Sequence, residues 1–416
     1  MSWAYLTPLV LVLIYALYTV IPDLLLHRLG IGCWKRQYTP GVAITFDDGP
    51  NPEVTPQVLD VLDRAGVKAV FFLVGEKAAR YPEITRSILA RGHQLGAHSQ
   101  YHRHAWASSP GRTWRDLDGG IRTLEQVTGE TVTWFRPPWG TFNLVTWLWM
   151  RSRGKQAVLY DVDGRDWKRR NPPSSITGRI LKRVRPGSIV LLHDDGGEPG
   201  APLNTLRSLG DICRGVRELK KLPLVELAFP AWPLSRRLIF RLWEGWEGFF
   251  ARIYKIERVG PENILRLSRS RFPGPAVFGP DGLVLARPGD PAGEIHFDNL
   301  RLSGDETDPM KTGLRALRLA RDSLPGLAAY IQAHPEYREA EVFFGLSRIN
   351  RGVKGLGFQV QEVPPSIPVR LVGALQRVIA RVYRPPGAGE KRRPAPDPPK
   401  LVWISRERLF DLWLKS

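Results

Sequence analysis

Residues 42–50 read Val-Ala-Ile-Thr-Phe-Asp-Asp-Gly-Pro, and the prediction of the fold begins from this stretch. An apolar run ends in two adjacent acids and a Gly-Pro pair, a pattern that predicts a buried strand entering a turn. Helical spacing follows from Pro56 to Ala65, Gly66 is a stop signal, and Lys68 to Val74 is a second apolar run. Strands that alternate with helices of this length form a parallel sheet, open or closed into a barrel, so we expect an α/β fold.

The alternation continues along the chain. The spacing predicts a helix from Tyr81 to Arg91, a strand from Val158 to Val162, a helix from Ser174 to Val184 and a strand from Ser188 to Leu192. Polar and ionisable residues follow several of the predicted strands, namely Asp47-Asp48, His98 with His102, Asp161 to Asp166, and His193-Asp194. In parallel α/β folds reactive groups collect at the carboxyl ends of the strands, so these clusters predict one site.

Each cluster taken singly also has a structural interpretation. His98 and His102 are four residues apart, so on a helix or tight turn both imidazoles would project to one side, a spacing that suits a metal. The same pair could be surface or capping histidines. Two adjacent acids at a strand end are often a turn with a helix cap, and His193 could simply bond to the backbone.

The order of five motifs resembles the polysaccharide deacetylase family, the nodulation-protein-B homology domain of carbohydrate esterase family 4. The motifs are Thr45-Phe46-Asp47-Asp48-Gly49-Pro50, His98-Ser99-x-x-His102, Arg136-Pro137-Pro138-Trp139-Gly140, Asp163-x-x-Asp166-Trp167 and Leu191-Leu192-His193. Together they cover under half of the chain. The resemblance implies a distorted (β/α) barrel and a divalent metal. One departure is Trp139, where the family more usually has tyrosine or phenylalanine, and this departure concerns the shape of the pocket.

The resemblance implies that Asp48, His98 and His102 are the metal ligands, which leaves positions open for water and substrate. Zinc is the expected metal, with cobalt, manganese or nickel as alternatives. Asp47 would be the general base that takes a proton from the attacking water. Arg136 would pair with Asp47 and keep its carboxylate charged and aimed.

On the leaving-group side, the resemblance implies that His193 protonates the departing amine while Asp166 holds its imidazole. The backbone N–H of Trp139 and the metal would stabilise the oxyanion. Leu191 and Trp167 would wall the slot for the acetyl methyl group.

The implied activity is removal of N-acetyl groups from an N-acetylglucosamine-containing, peptidoglycan-like polysaccharide of the cell envelope. An O-acetyl esterase acting on acetylated glycan is an alternative, because the metal chemistry barely distinguishes an ester from an amide. A non-catalytic glycan-binding protein that keeps the fold is another, although such proteins usually lose a ligand or the base.

The N-terminus predicts a membrane anchor. Ser2 to Pro22 contains no charged residue, and about 20 apolar residues suffice for a helix to cross a hydrocarbon core. A buried N-terminal helix is the alternative. Arg28, Lys35 and Arg36 follow the helix and would keep that side in the cytoplasm by the positive-inside rule. The resemblance instead implies a single-pass protein with an extracytoplasmic catalytic domain.

Beyond residue 228 the character of the sequence changes. Leu234 to Val259 predicts an amphipathic helix that packs on its own domain, with a membrane surface as the alternative. Separate helices are predicted from Lys311 to Ser323 and from Gly326 to His334, among short strands. This mixed segment resembles a YkoP-like domain through the run Leu324-Pro325-Gly326-Leu327-Ala328-Ala329-Tyr330-Ile331. Arg384 to Lys400 is predicted to be a disordered linker.

The predicted domains are therefore an anchor over residues 1–25, a deacetylase domain over 26–228, and an α+β domain over 229–383. A basic, proline-rich linker and tail follow over 384–416, and Trp403, Phe410 and Trp413 are expected to dock the tail back.

Composition sets the remaining limits. The 416 residues include 60 Lys and Arg against 41 Asp and Glu, a formal net charge of +19. With 43% hydrophobic residues, the chain is neither wholly disordered nor a polytopic membrane protein. Two cysteines cannot build a disulfide scaffold. The positive charge suits anionic envelope polymers or lipid. No nucleic acid partner is expected, since no recognition motif is present.

Overall fold

The structure is a computed structural model that describes residues 3–37, 41–229, 234–260, 263–299, 309–347, 352–363, 372–376, 378 and 399–414. The chain separates into two compact units, Met1–Phe229 and Pro230–Ser416. Each unit has its own sheet.

The first unit is built on an eight-stranded sheet with the order β1-β6-β5-β4-β3-β2-β8-β7, in which every neighbouring pair is parallel. The strands are β1 Cys33–Trp34, β2 Ala43–Asp47, β3 Val70–Leu73, β4 Gln94–Ala97, β5 Trp134–Phe135, β6 Gln156–Val158, β7 Val162–Asp163 and β8 Ile189–His193. The helices are α1 Val54–Ala65, α2 Gly75–Arg80, α3 Pro82–Ala90, α4 Pro110–Thr128, α5 Leu144–Arg153, α6 Pro173–Arg183 and α7 Ala201–Glu218.

The sheet curls into a distorted barrel, as the sequence predicted. Residues 159–161 connect β6, near one edge of the sheet, to β7 at the other edge. Four Cα–Cα steps span at most about 14 Å, so the two edges must lie close together. An isolated bridge between Arg36 and Ser188 also joins them. The single strand predicted from Val158 to Val162 is therefore wrong: the chain leaves one edge after Val158 and joins the other at Val162.

Strand β2 shows how the barrel positions chemistry. All five of its residues are buried, and side chains alternate between its two faces. Ile44 and Phe46 join the large apolar core beneath the helices. Thr45 and Asp47 consequently point to the other side, where both accept hydrogen bonds from the buried Arg136. The alternation thus places one acid inside the barrel directly before the strand ends.

A continuous N-terminal helix over residues 3–28 precedes the barrel, and Trp3–Tyr15 is its α-helical first part. Val10–Arg28 is long and apolar enough to cross a membrane. Its residues Thr19, Asp23 and Leu26 are buried on the side that faces the barrel. The helix therefore has one face on the barrel and one face free.

The second unit is mixed α+β, as predicted. Its main sheet has the order β15-β16-β14-β13-β10-β9, and β11 pairs with β12 separately. The strands are β9 Glu257–Arg258, β10 Leu265–Arg271, β11 Val277–Phe278, β12 Val284–Ala286, β13 Pro291–Phe297, β14 Val342–Ser347, β15 Gln359–Gln361 and β16 Lys400–Ser405. The helices are α8 Leu234–Ile253, α9 Pro309–Ala333 and α10 Arg406–Trp413.

Three features of this unit bear on the sequence predictions. The prediction of separate helices before and after Pro325 is wrong, because α9 continues through that proline. Helix α8 buries Phe240 and Trp243 but exposes Leu242 and Phe249, so only part of its apolar surface is buried. Trp403 lies on β16, a strand paired with both β14 and β15. Most of the predicted linker, residues 384–398, lies outside the described residues.

Helix α4 packs unusually closely on the loop after β4, and this contact generates a prediction. A methyl group at Gly120 would lie 2.5 Å from the carbonyl carbon of Ser99, which sits between two of the candidate metal ligands. Because that neighbour is backbone, we expect Gly120→Ala to lower the free energy of unfolding by about 1–3 kcal/mol, as overpacking does. Urea denaturation of the full chain measures the change.

Gly210→Ala is the matched control, since Gly210 also lies within a helix and has open space around its Cα. Alanine there should raise the free energy of unfolding by about 0.5–1 kcal/mol, because glycine is a poor helix former. Equal effects of the two substitutions would contradict the predicted close packing of α4.

Candidate metal centre and active site

Three ligand-type side chains meet at the carboxyl edge of the barrel. Asp48 follows β2, and His98 and His102 lie on the loop after β4. The Oδ1 atom of Asp48 lies 3.3 Å from Nε2 of His98 and 3.0 Å from Nε2 of His102. One ligand atom from each of the three residues lies within 4.8 Å of the others. The predicted cluster is therefore present as a spatial group.

The tautomer of His98 tests whether this group fits a metal ion. Its Nδ1 lies 2.8 Å from the carbonyl oxygen of Arg136. A carbonyl only accepts, so Nδ1 carries the proton and Nε2 presents a lone pair in the neutral ring. That lone pair faces the Oδ1 atom of Asp48, a second acceptor. Two acceptors at this separation repel unless a cation lies between them.

Asp48 supports the same conclusion. Its carboxylate lies largely out of solvent between the two imidazoles, with 13% of the side chain exposed. Its buried Oδ1 atom accepts no hydrogen bond from the described residues. Ligands about 2.1 Å from a common ion lie roughly 3.0–3.4 Å apart, which matches the two separations from Asp48. The geometry and chemistry of the group thus fit a metal ion.

Asp47 lies beside this cluster and is almost fully buried. Its Oδ1 accepts from Nη1 of Arg136 at 2.7 Å, while its Oδ2 lies 3.9 Å from Nε2 of His98. Arg136 also donates Nε to the carbonyl of Val158 at 2.9 Å and Nη2 to the carbonyl of Leu159 at 3.2 Å. The arginine is fixed on several sides and leaves one oxygen of Asp47 directed toward the metal site.

His193 ends β8 and forms a second group with Asp166. The Nδ1 atom of His193 lies 3.0 Å from Oδ1 of Asp166, whose Oδ2 accepts from the backbone N–H of His193 at 2.7 Å. Burial would lower the pKa of His193, but the charge and hydrogen bond of Asp166, with Asp48 and Asp47 adding smaller effects, raise it to about 9. Asp166 therefore favours the protonated form of this imidazole.

The three residues predicted to contact substrate occupy different environments. Trp139 is 66% exposed, and its ring centroid lies 5.4 Å from that of His102. Trp167 stands edge-on to the ring of His193 at 5.6 Å. Leu191 is buried on β8, two residues before His193. The structure thus brings Trp139 to the metal side and Trp167 to the His193 side.

The backbone around the site is strained. Asp48, Ser99, His102 and Trp139 have φ values of 75°, 64°, 53° and 60°, in the left-handed region that non-glycine residues rarely adopt. Each such residue costs about 1 kcal/mol or more and persists only where the surroundings enforce it. Strain concentrated in these loops is consistent with a functional site.

Several supporting residues have no sequence signal. Lys77 donates to the carbonyl oxygen of Asp48 at 2.8 Å and pairs with Asp195 at 2.7 Å. It therefore stabilises the left-handed backbone conformation of Asp48. Thr205 donates to Oδ2 of Asp166 at 2.8 Å. Burial raises the pKa of Asp194 to about 7, although Thr55 donates to its Oδ2. Only Asp194 and Asp195, which directly follow His193, could have been suspected from their position.

Comparison with known proteins agrees with this geometry. A family model described as polysaccharide deacetylase matches residues 35–158, and one described as YkoP domain matches residues 236–413. A peptidoglycan-N-acetylglucosamine deacetylase of Bacillus cereus is 38% identical over 183 residues, which is 43% of this chain and 82% of that protein. A chitooligosaccharide deacetylase of Sinorhizobium fredii is 38% identical over 173 residues, 41% of this chain and 80% of that protein.

One solved structure is also similar. A peptidoglycan N-acetylglucosamine deacetylase, crystallised with a benzamide ligand, is 29% identical and aligns with 47% of this chain and 90% of its own. The TM-score is 0.44.

The fold and the site together define a parallel-barrel protein with an Asp-His-His metal centre. More particularly, this chain belongs to the polysaccharide deacetylase family and carries a YkoP domain toward its C-terminus. The resemblance inferred from the five motifs is confirmed.

The position of Lys77 predicts an effect on metal binding. Lys77→Met would remove the donor to the Asp48 carbonyl and allow this strained residue to relax. Because residues that orient metal ligands typically contribute 10- to 100-fold in affinity, we expect zinc and cobalt affinity to fall by about that factor. Competition with a chelating dye measures it. Lys155→Met is the control. Lys155 forms an ion pair with Glu125, with 3.2 Å between Nζ and Oε1, and this pair does not include a candidate ligand. Equal affinities in both variants would exclude this role for Lys77.

Proposed function

We propose that this chain is a metal-dependent hydrolase that removes N-acetyl groups from an N-acetylglucosamine-containing glycan of the cell envelope. The observation that carries the proposal is the arrangement around Asp48, His98 and His102. A free carboxylate oxygen of Asp47 lies on one side of this metal site. A protonated His193 lies close enough for Asp48 and Asp47 to raise its pKa. A base and an acid thus accompany one metal centre.

Zinc is the metal we propose, since one carboxylate and two imidazoles with further positions open are a ligand set typical of catalytic zinc. When bound, the ion would polarise the acetamide carbonyl and lower the pKa of a water molecule. Cobalt, manganese and nickel remain candidates for the same ligands.

Asp47 takes the proton from the attacking water in this proposal. Its Oδ2 is free of Arg136 and faces the cluster, while its Oδ1 is held by Arg136 at 2.7 Å. Water oxygen bonds to the acetyl carbon, and the proton moves to Asp47. The backbone N–H of Trp139 is proposed to donate to the resulting oxyanion, with the left-handed conformation of Trp139 fixing its direction.

His193 then completes the reaction. The C–N bond breaks, and the imidazolium gives its proton to the departing nitrogen, so acetate and a glucosamine-type amine are released. Asp166 holds the ring through Nδ1, which leaves Nε2 as the donor. We propose that Leu191 and Trp167 wall the space for the acetyl methyl group, because both lie on the His193 side of the site.

The cellular setting is also a proposal. The apolar helix containing Val10–Arg28 would anchor the chain as a single-pass protein. The relatives from Bacillus cereus and Sinorhizobium fredii are a peptidoglycan and a chitooligosaccharide deacetylase, which favours an extracytoplasmic catalytic domain. The net charge of +19 would suit anionic envelope polymers. Of the predicted domain limits, 26–228 for the catalytic domain stays part of this proposal. Residues 400–413 we assign to the α+β domain and not to a separate tail, because β16 pairs with both β14 and β15.

An acetate-release assay tests the function. The full chain, loaded with zinc or cobalt, should release acetate from N-acetylglucosamine oligomers, whereas Asp47→Asn should lower kcat by about 10²- to 10⁴-fold because the base is lost. Metal content should stay at the wild-type level in this variant, since Asp47 is not among the proposed ligands.

A parallel assay on acetylated xylan distinguishes hydrolysis of an N-acetyl amide from hydrolysis of an O-acetyl ester. Release from xylan alone would indicate an O-acetyl esterase. Absence of release from every glycan, under conditions where a related deacetylase is active, would refute the proposed function.

The pH dependence tests the role of His193. Asp166 is the largest influence that raises the pKa of His193 above 6.5, to about 9. The protonated ring is the donor, so kcat should fall as pH rises through this pKa. Asp166→Asn removes the charge, and the alkaline limb of the kcat profile should move down by about 1–2 pH units. A bound cation offsets part of the effect of Asp48 in both proteins alike. An unshifted limb would show that His193 does not set it.

A further inference from the structure

The N-terminal helix lies against the rim of the active site. The Tyr18 hydroxyl donates to the carbonyl oxygen of Ser108 at 2.9 Å and accepts from Nδ2 of Asn143 at 3.0 Å. Oδ1 of Asp23 accepts from the backbone N–H of Phe142 at 2.8 Å. Ser108 follows β4, while Phe142 and Asn143 follow β5, so these contacts lie at the carboxyl edge of the barrel. The helix therefore crosses the edge that carries the metal site.

The opposite face of this helix is apolar and exposed. Its outward side chains from the part that packs on the barrel are Leu17, Val20, Ile21, Leu24, Leu25 and Leu29, each 40–55% exposed. Tyr18 and Asp23, which bind the barrel, lie within the apolar span Val10–Arg28. A contiguous exposed apolar face marks a contact site, and on a helix long and apolar enough to cross a membrane it favours lipid. Because Tyr18 and Asp23 hold one side of the helix on the barrel, lipid would contact only the outward face there, which brings the rim of the site to the bilayer surface.

The rim itself has the chemistry of a membrane interface. Trp139 is 66% exposed, and Leu144 and Leu148 project from α5, the helix that Asn143 caps. The Arg151 guanidinium lies over the Trp147 ring, 5.2 Å from its centroid. Exposed aromatic and apolar side chains beside arginine are favoured where a bilayer meets water.

A similar pair lies on the other side of His102. The Arg103 guanidinium lies 4.6 Å from the centroid of the Tyr101 ring, which is 49% exposed. Guanidinium groups bind phosphate in pairs of hydrogen bonds, and this suits anionic headgroups. Basic and aromatic side chains thus flank the candidate ligand His102 in the chain.

We propose that the rim formed by Trp139, Leu144 and Leu148 rests on an anionic bilayer surface, and that the N-acetylated glycan is carried on a lipid in that bilayer. The inference rests on the proposed function and narrows its substrate class. A sugar close to a lipid anchor reaches the metal site from the headgroup layer. A polymer far from the membrane does not.

The experiment uses the full chain in vesicles of phosphatidylethanolamine and phosphatidylglycerol. One probe is an N-acetylglucosamine trisaccharide on a hexadecyl glycoside in the same vesicles, and the other is the free trisaccharide. We expect acetate release from the lipid-borne probe to be at least about tenfold faster at equal bulk concentration, as co-localisation raises effective concentration. Leu144→Ser with Leu148→Ser should lose most of this preference while the rate on the free trisaccharide is retained.

Leu219→Ser is the matched control. Leu219 is 70% exposed and follows α7, an 18-residue helix about 27 Å long that begins after β8 on the site edge. It therefore lies at the far end of the barrel, and its substitution should change neither rate. This control keeps the same N-terminal helix. A loss of preference in the double variant but not in the control would therefore come from the contact between the rim and the bilayer, and not from a change in the N-terminal helix.

The outcomes distinguish the two proposals. Equal rates on both probes, or a double variant that keeps the full preference, would overturn the membrane-seated rim while leaving the deacetylase function intact. Equal loss of both rates in the double variant would also overturn it, because the leucines would then support the fold. If neither probe releases acetate, the proposed function fails and this inference fails with it.

Discussion

The site depends on three ligand-type atoms that the fold brings together in a largely buried place. Oδ1 of Asp48 and the lone pair on Nε2 of His98 would repel each other without positive charge between them, and Nε2 of His102 lies 3.0 Å from the same oxygen. The chain nevertheless holds Asp48 and His102 in left-handed backbone conformations that bring these atoms together. A cation that bound only the folded arrangement would offset the repulsion and the strain, so metal binding would also stabilise the fold. Two hydrogen bonds help to hold this arrangement: Lys77 donates to the carbonyl oxygen of Asp48, and Nδ1 of His98 donates to the carbonyl oxygen of Arg136.

Arg136 connects this site to the closure of the barrel. Its donors reach Asp47 and Thr45 on β2 and the carbonyls of Val158 and Leu159, where the chain leaves β6 for the opposite edge. A lysine could not satisfy acceptors in so many directions, because only a guanidinium has a rigid planar set of donors. The orientation of Asp47 and the path of the closing segment are therefore fixed by one side chain. Its burial is tolerated because each of its three nitrogens donates to a partner and its charge is paired with Asp47.

The sequence alone predicted the fold class, the family and the spatial meeting of Asp48, His98 and His102. These predictions depend on local patterns, since apolar runs end where the reactive residues begin. The split between β6 and β7 could not be predicted, because Val158 to Val162 is uniformly compatible with one strand and only pairing across the barrel separates it. Continuation of α9 through Pro325 is likewise a tertiary effect that overrides a local breaker.

The supporting residues were missed for a related physical reason. Lys77 and Thr205 act through hydrogen bonds to groups more than 25 positions away in the chain. Neither lies in a motif, and a lysine or threonine on a helix is ordinarily a surface residue. Positions of this kind become visible only when the loops of several strands are assembled at one edge.

The N-terminal helix shows the same limit for domain boundaries. Hydropathy separates an anchor from a catalytic domain near residue 25, yet the helix continues to residue 28 and buries Leu26 in the barrel core. Asp23 binds the backbone N–H of Phe142, three residues after Trp139, and the ring of His27 lies close to Gly140. Anchor and barrel thus share residues 18–28. Because the shared segment contacts the loop that carries Trp139, a displacement of the helix would also displace the loop beside His102.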